Sequence, residues 1–197
     1  ILGAALPMLV AQILSLFYNI VDRIYIARIP EVGTTALGAV GLCFPIIVII
    51  TAFSNLFGSG GAPLFSINRG KGNTKKAETV MNTSFSMMCI CGVVLMVIGM
   101  LFASPILVLF GASEEGLSYA YPYMMIYLIG AVPSMIATGM NPFINAQGYA
   151  TSGMLSVTIG AVANLILDPL FIFGLHLGIK GAAIATIISQ TLSAAYV

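Results

Sequence analysis

Two aspartates lie inside runs that are otherwise apolar. Asp168 follows Asn164 by four positions in Asn164-Leu165-Ile166-Leu167-Asp168-Pro169. Asp22 ends a stripe, Gln12, Ser15, Asn19 and Asp22, that steps by three, four and three residues. On a helix both spacings put the polar side chains on one face, and an ionisable group in such a run marks a functional site by default because charge in hydrocarbon is costly. Tyr18 stands one turn before Asp22. Pro169 has no N–H to give, so the Leu165 carbonyl is left open beside the polar pair. Two carboxylates close together in a pocket of low dielectric cannot both stay charged cheaply and therefore titrate as a unit, a proton switch. The same oxygens, with the Asn164 amide oxygen, the Thr186 hydroxyl and the Leu165 carbonyl, equally form an all-oxygen set for a sodium ion. The residues themselves leave proton and sodium open.

Such groups need a scaffold that holds them in a membrane. The 197 residues are 59% hydrophobic and 7% charged, with a mean hydropathy of +1.07, against roughly 25% charged in a soluble domain. Runs of about 20 apolar residues, rather than strands alternating over about ten, indicate membrane-spanning helices and not a barrel. Six spans are predicted, over 2–29, 35–66, 78–102, 117–140, 153–174 and 179–197. The fold class is all-α integral membrane, a six-helix transmembrane bundle in one domain. A net charge of +1 gives no reason to expect a nucleic-acid partner. Cys43, Cys89 and Cys91 sit within apolar runs as small buried residues, and Cys89-Ile90-Cys91 lacks metal-ligand spacing. His176 reads as a solvated loop residue. The first run starts without Met and the last is still apolar at Val197. The chain is therefore expected to be part of a longer polytopic protein, cut at both ends.

Arg69, Lys71, Lys75 and Lys76 follow the second span, whereas Glu114 and Glu115 follow the third. The positive-inside rule places the basic loop and the amino terminus in the cytoplasm. Polar residues then form stripes in other spans: Tyr123, Tyr127, Ser134, Thr138 and Asn141; Ser156, Gly160, Asn164 and Asp168; Thr186, Ser189 or Gln190, and Ser193. Hydrogen-bonded glue between helices accounts for many of them, at about 0.6 kcal/mol per pair. Depth separates glue from site. Asp168 lies about 15 residues, or roughly 23 Å, beyond the cytoplasmic start of its span, in the outer half of a hydrocarbon core about 30 Å thick. Asp22, Tyr123, Tyr127 and Thr186 reach a similar level from three other helices; Asn141 does not.

Taken together, the motifs resemble the MATE (multidrug and toxic compound extrusion) family. They are Pro7, Gln12 and Tyr18-Asn19-Ile20-Val21-Asp22; Ala36-Leu37-Gly38-Ala39-Val40-Gly41 with Phe44-Pro45; Gly60-Gly61-Ala62 with Gly70-Lys71-Gly72-Asn73; Phe143-Ile144-Asn145-Ala146-Gln147-Gly148; Asn164 through Pro169; and Gly178 through Thr186. The resemblance implies the amino-terminal lobe of an inner-membrane exporter of twelve helices in two lobes. Such an exporter alternates access and expels cationic or amphipathic drugs against inflowing protons or sodium. Its other partners are the lipid bilayer and the missing carboxy-terminal lobe, and it needs no cofactor beyond the coupling ion. The matching positions make Asp22, Asn164, Asp168 and Thr186 the cation site, with no metal expected beyond a possible Na+ at the two aspartates. Tyr18, Asn19, Tyr123 and Tyr127 are supporting or cavity residues, and Pro7 is a hinge in the first helix.

Three other readings compete. A lipid-linked oligosaccharide flippase of the same superfamily would line its cavity with basic residues, and only Arg23 is a buried basic candidate. An intramembrane aspartyl protease needs Tyr-Asp and Gly-x-Gly-Asp contexts, but here the aspartates follow Val21 and Leu167. No catalytic residues are assigned, and an enzyme is not expected. A passive channel or structural membrane subunit is the third alternative.

Overall fold

Helices follow from the apolar runs, and their ends from capping and proline chemistry. The computed structural model describes residues 2–30 and 32–197, with side chains from residue 6 onward. Helix α1 (Leu2–Ala27) carries Pro7 within it. Helix α2 (Gly33–Gly70) has 38 residues, about 57 Å of helix, well beyond the thickness of the hydrocarbon core. Helix α3 (Thr74–Leu101) starts at Asn73, whose side chain accepts from the Lys76 N–H at 3.1 Å, closing one of the orphan donors of a helix start. A short helix, α4 (Ala103–Leu109), follows. Ser113 caps α5 (Glu114–Ile129) through the Gly116 N–H at 3.1 Å. Glu114 and Glu115 in its first turn suit the positive end of the helix dipole.

The expected span 117–140 is not one straight helix. Helix α5 ends at Ile129, and α6 (Ala131–Ala146) leaves it at 56°. Pro133 explains the break, since it has no N–H for the Ile129 carbonyl and its ring crowds that group. Helix α7 (Ala150–Pro169) runs into a π-helical turn, Leu170–Gly174, closed by Leu175 N–H on Leu170 O at 2.9 Å. The turn follows the residue that cannot continue the α ladder. Helix α8 (Ile179–Tyr196) ends the bundle.

Among the described residues four helices are long and apolar enough to cross a membrane by themselves, and the bent pair makes a fifth. Helix α8, expected as the sixth span, is not among them. Its inner residues are small, with Gly181, Ala182, Ala183, Ala185, Ser189 and Ser193 all buried, so its sequence reports contact with protein rather than with lipid.

Helix α1 leans mainly on α7, α2 packs against α3 and α6, and α8 fills the space between α5, α6 and α7. Helices α2 and α6 approach closely. The Gly58 backbone rests on the Gly139 backbone, where a Cβ would overlap the carbonyl, and one turn away Ser54 Oγ donates to Met135 O at 3.0 Å. Small residues four apart permit this approach. Phe65 and Phe143 meet edge to face beside it, with ring centroids 5.7 Å apart. Outward, large apolar side chains such as Leu101, Leu109 and Ile90 are exposed, as a lipid solvent requires.

Candidate cation site

The packing of α1 on α7 brings the two aspartates together. Asp168 is fully buried and Asn164 nearly so. The Asn164 amide donates to Asp168 Oδ1 at 3.1 Å, which orients that carboxyl and leaves the Asn164 oxygen as an acceptor. The side chains of Asp22 and Asp168 face one another where α1 packs on α7. Asp22 Oδ1 and Asp168 Oδ2 are both buried and have no hydrogen-bond partner among the described residues. Two ionised carboxylates can only accept; their free oxygens therefore call for a donor or a cation, such as a shared proton, water or a sodium ion.

Arg23 is felt at Asp22 through its charge but does not bond the free oxygen, and its guanidinium carbon lies 5.9 Å from the centroid of the Phe44 ring. Nor is a transition-metal site formed: no group of three His, Cys, Asp or Glu side chains converges among the described residues. The oxygens at hand are of the hard type that alkali ions accept.

The other site residues fall into three places. Tyr18, Asn164 and Thr186 line one cavity of about 500 Å³, where Thr186 Oγ1 donates to Ala182 O of its own helix at 2.9 Å and keeps its lone pairs for a ligand. Tyr123 is buried and stacks on Tyr127, with centroids 6.1 Å apart and planes 15° from parallel; this pair lies outside the cavity lining. Asn19 stands apart, exposed, with its amide turned back to Ser15 O at 2.7 Å. Pro7 lies in α1, a turn or more below the polar stripe. Leu165 is 43% exposed on the outer face of α7, and the Leu170 N–H that follows Pro169 bonds Leu167 O and not the freed carbonyl.

The cavity also includes Asn55 and Ser59 of α2 and Gln190 of α8. Asn55 went unnoticed in the sequence because it stands in a strongly apolar run. The available signal was Thr51, Asn55 and Ser59 at intervals of four. Asn141 belongs to the far end of the same cavity, where its amide donates to Gly153 O at 2.8 Å.

A family model, MatE, matches residues 7–170. The chain belongs to the MatE family. It is 32% identical over 193 residues to an FAD transporter of Shewanella oneidensis, covering 96% of this chain and 42% of that protein. To the multidrug export protein MepA of Staphylococcus haemolyticus it is 31% identical over 189 residues, covering 96% and 41%. A solved structure of MATE in the straight conformation superposes with a TM-score of 0.92 at 27% identity, over 99% of this chain and 43% of that one. The chain spans about two fifths of the length of the curated MatE relatives it matches, and its all-helical fold is that of a single MATE lobe.

Proposed function

We propose that this chain is the amino-terminal lobe of a cation-coupled antiporter that exports cationic or amphipathic drugs by alternating access. It would lie in the inner membrane with its amino terminus in the cytoplasm. One observation carries the reading: a buried carboxylate on α7 and a half-buried one on α1 face each other, each with a buried oxygen that lacks a donor among the described residues. Asp22 and Asp168 bind the inflowing proton or sodium ion. Asn164 holds Asp168 in place, and Thr186 adds an oxygen from α8. Tyr18, Tyr123 and Tyr127 support the pocket. Because α1 rests chiefly on α7, neutralising the pair changes how α1 is held. Pro7 lets α1 bend in response, which favours drug release outward. The energies are commensurate, since a charge crossing the membrane gains about 2.3 kcal/mol per 100 mV and a typical coupling free energy is about 1–3 kcal/mol.

The likeness to an FAD transporter favours a second reading, export of a dinucleotide. A pyrophosphate calls for Arg or Lys, and neither is found among the residues lining the cavity of this lobe; the same composition weighs against a lipid-linked oligosaccharide.

In the full-length protein reconstituted in vesicles, Asp168→Asn is expected to abolish drug efflux driven by an imposed pH or sodium gradient while leaving membrane insertion intact. Unchanged gradient-driven efflux would overturn the assignment.

A further inference from the structure

From the carboxylate pair to the end of the lobe that bears the basic loop, the facing sides of α7 and α8 are polar and small. On α7 the series is Asp168, Asn164, Gly160, Ser156 and Gly153, about 22 Å of helix. Ser189 and Ser193 of α8 oppose it, and Ser156, Ser189 and Ser193 are all at least nine-tenths buried. At the far end the groups bond to one another. Ser193 Oγ donates to Ser156 O at 3.0 Å, and the Asn145 amide donates to Asn141 Oδ1 at 3.0 Å.

Glue explains those bonds but leaves two atoms unexplained. Ser189 Oγ and Asn145 Oδ1 are buried without a partner among the described residues, and both residues line the cavity. A hydroxyl on a helix can always turn to the carbonyl four residues back, as Thr158, Thr186 and Thr191 do here; Ser189 does not. Leaving such a group unsatisfied is costly, so its position implies something polar to solvate. At the far end Gly153 makes room for the second atom. A Cβ there would stand 2.6 Å from Asn145 Oδ1 and 3.1 Å from Asn141 Oδ1, so the missing side chain lets two amide oxygens converge on one spot.

We propose that this seam is the conduit by which a hydrated monovalent cation passes between the carboxylate pair and the basic end of the lobe, with Ser189 Oγ and Asn145 Oδ1 as its transient ligands. The proposal rests on the reading of Asp22 and Asp168 as the cation site. A conduit residue sets a barrier rather than an end point, which defines its test. In the full-length transporter in vesicles, Ser189→Val should lower gradient-driven drug turnover by about tenfold or more, with drug and cation affinities unchanged. Ser189→Thr should restore it. Separate pH and sodium gradients show which ion takes the route. Normal turnover in Ser189→Val beside a dead Asp168→Asn overturns the conduit alone, whereas an active Asp168→Asn overturns the cation site beneath it. Lost drug affinity in Ser189→Val would make the seam a drug subsite and also overturn the conduit. If Ser189→Val fails to fold, Ser189→Cys in a background without Cys43, Cys89 and Cys91 decides. Reaction with silver ion supplied at the basic-loop side is expected, and a thiol that stays unreactive there refutes the route.

Discussion

Helices α3 and α8 lie in the same bundle and are built on opposite plans. The best window of α3 has a mean hydropathy of 2.3, and only 17% of it is buried; Ile90, Val94, Val97 and Leu101 face outward. Helix α8 is too polar to be recognised as a span, yet Ala183 and Ala185 are fully buried and Ala182 almost so. Between these two helices, the more hydropathic one is the one that faces lipid. The helix that does not qualify as a span by itself is closely packed, and it carries Thr186 and Ser189. In a membrane, apolar surface gains little from burial against other helices, so the interior can be given to small and polar residues that pack closely.

The contrast can be broken by substitution. The largest effect is expected at Ala183→Leu, where added volume has no room; destabilisation of about 3 kcal/mol or outright loss of the folded protein should show in detergent-resistance or thermal-unfolding measurements. Helix α3 depends less on packing and more on its start. Asn73→Ala removes the acceptor for the Lys76 N–H and should cost about 1 kcal/mol in the same measurements. The smallest effect is expected on the outer face of α3, where Val97→Leu exchanges one lipid-facing side chain for another and should stay within about 0.5 kcal/mol. If Val97→Leu proved as damaging as Ala183→Leu, that face would be packed against protein and the contrast would fail.

Much of this architecture could be read from residue order. Counting residues from each span's ends brought Asp22 and Asp168 to one height, and their carboxyls do face each other. The turn from α5 to α6 could not be read that way, because Gly130 and Pro133 sit in an apolar run whose hydropathy is continuous across the bend. Helix α4 falls between the predicted spans 78–102 and 117–140, in a stretch given no element because seven residues are too few to read as a span. Asn19 shares the spacing of the Asp22 stripe, but periodicity specifies a face and not a rotamer, and its amide finds a carbonyl of its own helix. The two unpartnered atoms, Ser189 Oγ and Asn145 Oδ1, lie beyond any pattern of residue types. Whether a polar group is satisfied depends on atoms brought from other helices.

The contact between Gly58 and Gly139 has a mechanical meaning. Two backbones that touch through glycines, pinned one turn away by Ser54 on Met135 O, cannot slip by a residue without driving a side chain into a carbonyl. Helices α2 and α6 therefore act as a fixed spar, and α3 and α8 are braced against it. Helix α1 touches this frame far less than it touches α7. Any load the lobe transmits is thus taken up where α1 meets α7, while the spar keeps its length and angle.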